Sequence, residues 1–188
     1  MLLLDGLPVT SVARTWLDLA EQLALPDLIA AGDCALRCGV TPEGLLDVLS
    51  RARHRRGVVK ARAALPLLNG RSRSRPESHL RYALVSAGLP TPEVNVAIYS
   101  ERGEWLAEPD LHYQDARLAL EYNGADHAGL ARMRRDITRD IDVEQRGGWR
   151  IVSFGPAQVF TRPEQTATFV RELRHEQLAR PSRFAHPA

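Results

Sequence analysis

The chain changes its hydrophobic rhythm once, at residues 69 to 76, NGRSRSRP. Upstream, apolar residues recur at helical spacing. Downstream, short apolar runs alternate with helical stretches. A polar, basic, turn-rich segment between two such regimes marks a boundary. It divides the 188 residues into a helical region, 1–69, an α/β region, 70–178, and a short flexible tail, 179–188. That length is enough for one sizeable core or two small ones.

In the first region, Thr10 or Ser11 can cap a helix carrying Val12, Trp16, Leu19, Ala20 and Leu23. A second helix follows Pro26 and stops at Gly39. A third is announced by Thr41-Pro42-Glu43, a cap residue with proline at the first helical position. Gly57 breaks it, and 58–68 can form a fourth. After the boundary, Ser74-Arg75-Pro76-Glu77 opens a helix reaching Gly88. Strands are expected over 93–100, 104–111 and 116–122, then a long helix over about 130–145, a strand over 150–154 and a last helix over about 163–178. The order is α-β-β-β-α-β-α.

Composition narrows the class. With 44% hydrophobic and 26% charged residues and a mean hydropathy of -0.26, neither disorder nor a membrane protein is indicated. The opening MLLLDGLPVT has no basic leader and is too short to span a bilayer, so a cytoplasmic location without membrane partners is expected. Cys34 and Cys38 lack a second ligand pair at zinc spacing and read as small buried residues. Between Arg51 and Pro76 nine cations occur with no acid. Such a run is either an electrostatic footprint for phosphates or a solvated helix face.

The chemistry concentrates in EPDLHYQDARLALEYNGADH, residues 108–127. Asp110 is placed at the end of the second strand and Glu121 at the end of the third. An antiparallel hairpin brings the two to one end of the sheet, and burying Leu118 and Leu120 aims Glu121 to the other face. Two ionised carboxylates about 4 Å apart repel by roughly 4 kcal/mol at an effective dielectric near 20. Either a proton is shared or a cation sits between them. Few, hard, water-accessible oxygens suit Mg2+ or Mn2+, which can support phosphodiester hydrolysis.

Glu77 on a first helix, Pro109-Asp110, then Glu121-Tyr122-Asn123, a helix and a further strand resemble the PD-(D/E)xK nuclease superfamily. More narrowly, Glu121-Tyr122-Asn123-Gly124, His127, Asp136, Arg139 and Gly148-Trp149-Arg150 resemble the very-short-patch-repair-like branch, domain of unknown function 559. The resemblance covers about residues 70–178. It implies a restriction-endonuclease-like αβββαβ core with a mixed central sheet, and a DNA endonuclease, with RNA the less favoured substrate, acting in DNA repair or phage defence. It also implies Asp110, Glu121 and the Tyr122 carbonyl as metal ligands, Glu77 positioning water, and His127 carrying a proton. GLPVTSVARTWLDLA resembles a segment that follows a winged helix in antitoxin-like relatives, so the chain looks shortened at its start.

One position departs from the pattern: the superfamily's lysine, two residues after the second acid, is Asn123. Asparagine is neither base nor cation, which keeps open a nucleic-acid-binding regulator or antitoxin-like protein on a nuclease fold. Nucleic-acid contacts are expected from Arg73, Arg75, Asn123, Arg132, Arg135 and Arg139. The arginines of the 130–146 stretch are equally readable as exposed helix ion pairs. Glu77 stands three residues after Ser74, a capping-box spacing, so capping is its other reading. His127 reads alternatively as a loop histidine, and His79 and His112 as structural or solvent-facing. Trp105 and Trp149 read as core or edge packing.

Overall fold

The computed structural model describes residues 2–52, 55–100, 102–124, 141 and 143–180. They form a mixed α/β structure in two compact units, 1–82 and 83–188. The division falls inside a helix that begins in the first unit and ends in the second. Among the described residues no helix is long and apolar enough to cross a membrane.

The first unit opens on a hairpin, β1 (Leu2–Leu4) and β2 (Leu7–Val9), which the sequence reading did not anticipate. Asp5 and Gly6 both take positive φ, 50° and 80°, the backbone that a two-residue hairpin turn requires. Helices α1 (Val12–Leu19), α2 (Leu25–Arg37), α3 (Pro42–Arg51) and α4 (Val58–Ala64) follow, the last running into a 3-10 turn at Leu65–Leu67. Ser11 accepts the Arg14 N–H at the start of α1, and Thr41 accepts the Gly44 N–H at the start of α3. Gly57, at φ 79°, precedes α4, and a Cβ there would lie 2.5 Å from the Ala20 backbone. No other residue fits both demands.

Trp16, Leu28, Ile29, Leu45 and Leu49 form the centre of this unit's core. The Trp16 indole N–H donates to the Leu28 carbonyl at 3.0 Å, so its one polar atom is satisfied inside. A polar knot is buried as well. Asp33 has no exposed surface, and its carboxylate accepts from Ser78 Oγ at 2.7 Å, Arg81 Nη2 at 2.7 Å and the Asn69 N–H at 2.6 Å. Arg81 also donates to the Leu67 carbonyl at 2.5 Å. The loop 69–74 and the start of α5 (Arg75–Ser86) are thereby fixed to α2.

One expectation is corrected in this unit. Cys34 and Cys38 are exposed, not buried. The run of nine cations is also less bare than its composition suggests, because folding brings in acids from other segments. Arg51 pairs with Asp47, Arg55 with Asp18, Arg56 with Glu21 and Arg75 with Asp27. Exposed pairs of this kind are each worth about 0–1 kcal/mol, so they offset charge more than they stabilise.

Asp27 is the exception, because it also accepts from His79 Nε2–H at 2.9 Å. Partial burial alone would raise its pKa, but the hydrogen bonds and charges of Arg75 and His79 outweigh that and hold it below the usual carboxylate value. A depressed folded-state pKa contributes stability above the unfolded value, about 3.9, that is lost as pH falls through the folded one. Asp27→Asn is therefore expected to lower the melting temperature at pH 7. In a pH series, the gap from wild type should close below about pH 4.

The second unit is built on a four-stranded sheet in the order β3-β6-β7-β8. These are Glu93–Val94, Leu111–Tyr113, Leu118–Tyr122 and Arg150–Phe154. β6 is antiparallel to both of its neighbours, and β7 and β8 run parallel, so the sheet is mixed. Strands β4 (Ile98–Tyr99) and β5 (Trp105–Ala107) form a separate hairpin. The expected strands over 93–100 and 104–111 are thus each split in two, and Asp110 opens β6 instead of closing the strand before it. Proline at 109 explains the break, since it cannot donate to a ladder.

Leu106, Ala107 and Ile98 pack with Ala119, Val143 and Trp149. Trp149 is buried in the core, and Trp105, in the two-stranded β4–β5 hairpin, is 60% exposed. A five-residue π-turn, Ala157–Thr161, follows β8 and leads into α6 (Pro163–Ala179).

Candidate metal and nucleic-acid site

β6 and β7 pair with Leu111 opposite Leu120, His112 opposite Ala119 and Tyr113 opposite Leu118. The next pair in that register is Asp110 and Glu121. Side chains directly opposite in an antiparallel pair share a face, with Cβ atoms about 4.5–5.5 Å apart. The two acids, eleven apart in sequence, therefore stand side by side at one end of the sheet. Alternation places Glu121 on the face of Ala119, away from Leu118 and Leu120. Both carboxylates are half-buried.

Asp110 is held in place by the backbone. Its Oδ2 accepts the Tyr122 N–H at 2.7 Å, and its own carbonyl accepts the Asn95 N–H at 3.0 Å. In an extended strand a residue's N–H and C=O leave on the same edge, so the Tyr122 carbonyl points to the edge where the Asp110 carboxylate lies. The following Asn123 N–H goes the other way, to the Phe154 carbonyl at 2.9 Å. Asn123 and Gly124 are exposed. On the opposite face, the Tyr122 ring meets Phe160 edge to face at 6.4 Å.

Two carboxylates and a backbone carbonyl are all hard oxygen donors, the set that suits Mg2+ or Mn2+ with the remaining positions left to water. The residues present fit such an ion in donor chemistry. Among the described residues, no group of three or more His, Cys, Asp and Glu side chains gathers at one place. Among the described residues the backbone can add a third oxygen donor, the Tyr122 carbonyl.

The sheet adds two neighbours that sequence reading missed. Ser153 of β8 lies opposite Glu121 in the parallel register and is exposed. Asn95, at φ 48°, follows β3 beside Asp110. Neither carries a local signal, because each reaches the row only through strand pairing between distant segments.

The other candidates are distributed as follows. Glu77, in the first unit, is buried and closes the start of α5: its Oε2 accepts the Arg73 N–H at 2.8 Å, and the Ser74 hydroxyl accepts the Glu77 N–H. Arg73 and Arg75 are exposed, with Arg75 Nε donating to Asp27 at 2.7 Å. His127, Arg132, Arg135 and Arg139 lie outside the described residues. His112 is a core residue: 1% exposed, it stands edge to face with Trp149 at 5.3 Å. Burial depresses its pKa, with Glu93 opposing in part.

No family model matches the chain, and no solved structure matches it. Two uncharacterized proteins, from two strains of Mycobacterium tuberculosis, are each 36% identical to it over 178 residues. The match takes in 94% of this chain, so it runs through both units, and 64% of each relative. The chain thus spans under two thirds of the length of the curated relatives it matches.

Proposed function

We propose that the second unit is a restriction-endonuclease-like domain that hydrolyses phosphodiester bonds in DNA with a divalent ion, Mg2+ or Mn2+. The observation that carries this reading is the register pairing of Asp110 with Glu121, with Asp110 locked to the Tyr122 backbone. Asp110, Glu121 and the Tyr122 carbonyl would hold the ion. When bound, it would lower the pKa of water and offset charge building on the phosphoryl oxygens.

The chain's own residues have simpler duties. The Tyr122 N–H fixes the rotamer of Asp110, so one carboxylate is oriented before any ligand arrives, which reduces the entropy lost on binding. Glu121 supplies the second negative charge from a strand anchored between β6 and β8. Asn123, in the place of the superfamily's lysine, can donate and accept hydrogen bonds but cannot take a proton. Proton transfer falls to His127, whose ordinary pKa lies near neutrality.

Asn123 also favours a second reading, a nucleic-acid-binding protein on this fold without turnover. Purified full-length chain incubated with plasmid, single strands and mismatched duplex, with Mg2+, with Mn2+ and with chelator, separates the two. Metal-dependent cleavage that disappears in Asp110→Asn supports the nuclease. Intact DNA in every condition, with retained binding, supports the regulator.

A further inference from the structure

Cysteine is among the residue types most often fully buried. This chain has two, and both are free and exposed. They also stand together at the carboxyl end of α2, Cys34 in its last turn and Cys38 as the residue that caps it. The Cys38 N–H donates to the Cys34 carbonyl at 3.0 Å, so the pair brackets the last full turn. Residues at this spacing stand one above the other on a helix surface, with Cβ atoms about 5–6 Å apart. The buried Ala35 lies on the adjoining flank of the helix, about a quarter turn away, and the Arg37 guanidinium is turned to the Ser72 carbonyl.

That geometry sorts the chemistry open to the two thiols. A disulfide needs Cβ atoms about 3.5–4.5 Å apart, so direct closure requires the last turn of α2 to open. A single atom bonded to both sulfurs at about 2.3 Å each bridges up to about 4.6 Å between them and spares the turn. We propose that Cys34 and Cys38 form a chelating dithiol for a soft, thiophilic centre satisfied by two sulfurs, trivalent arsenic or copper(I). Soft sulfur ligands select such centres over hard cations. Zinc would call for four ligands. Among the described residues no cluster of three metal-binding side chains exists to complete a zinc site.

With an arsenic(III) oxide the step is a condensation. Both thiol protons pass to the oxide oxygen, which leaves as water, and two As–S bonds replace the As–O bond. No oxidation state changes. The site is independent of the proposed nuclease chemistry.

The test uses the folded full chain with phenylarsine oxide, read by intact-mass spectrometry and by thiol titration. The expected result is a single arsenical per chain with both thiols consumed, in an adduct that survives excess glutathione and is released by a dithiol. Cys34→Ser and Cys38→Ser, exposed positions whose folding circular dichroism confirms, should each give an adduct that glutathione strips. A second arm measures copper(I) in competition with a chromogenic chelator and should show affinity at least about tenfold greater for wild type than for either variant. Retention of only one of the two probes supports the dithiol and identifies its ion. Two arsenicals per chain, an adduct equally stable in the single-serine variants, or retention of neither probe would overturn the proposal, as would zinc held as tightly as copper(I).

Discussion

Asp33→Ala is expected to destabilise the amino-terminal unit by about 3–5 kcal/mol, the usual cost of removing one partner of a buried ion pair. Asp33 is fully enclosed, and Arg81 is almost so. Deleting the carboxylate strands a guanidinium with only the Leu67 carbonyl among its named acceptors, and it removes the acceptor for the Ser78 hydroxyl and the Asn69 N–H. Each stranded donor adds a desolvation cost of about 1–3 kcal/mol. Against a typical domain stability of about 5–15 kcal/mol, that loss leaves the unit marginal. Denaturant melts of the single variants and of Asp33→Leu/Arg81→Met give the coupling. The double variant should recover part of the loss by replacing charge with packing. It should still fall short of wild type, because Asn69 and Ser78 remain unanswered. Equal stability of Asp33→Ala and wild type would refute the enclosed pair.

Asp110→Asn and Glu121→Gln should each reduce metal-dependent cleavage by at least about 100-fold. Altering groups that only support a metal ligand costs about 10–100-fold, so neutralising a ligand itself should cost no less. In Asp110→Asn the new side-chain amide could present its oxygen to the Tyr122 N–H, so the local fold survives and the loss is chemical. Both variants should keep wild-type melting behaviour, and their DNA affinity in chelator should be unchanged or higher, since a negative charge facing the phosphates has gone. Cleavage that persists in Asp110→Asn would remove the pair from the chemistry.

How far the sequence could be read depended on whether a signal was local. Helices α1 to α3 announced themselves through Ser11, Thr41-Pro42 and the glycine beyond α2, all acting within a turn or two of the chain. The third expected strand was also legible as β7, but its partner was not: β6 begins only at Leu111, after Pro109 has broken the apolar run expected as one strand over 104–111. Other features needed partners from afar. The first hairpin was missed although Asp5-Gly6 is a strong turn signal, because MLLL reads as a short apolar lead-in. Nothing in the composition of residues 51–76 shows that Asp18, Glu21 and Asp27 will fold onto their arginines. Asp33 carries no local sign of burial, because its partner Arg81 lies far along the chain. Cys34 and Cys38 were misplaced by a residue-type average that takes no account of which helix face they occupy. At the site, Asp110 and Glu121 were visible in sequence, while Ser153 beside them depends on a parallel crossover.

The central claim is that Asp110 and Glu121 together hold a divalent ion. Titrating Mn2+ into the full chain and following free ion by electron paramagnetic resonance tests it without requiring turnover or a known substrate. The account predicts uptake of a single ion by wild type, competed by Mg2+, and weakened at least about tenfold in both Asp110→Asn and Glu121→Gln. No uptake at millimolar Mn2+, or the same uptake in wild type and both variants, would contradict it.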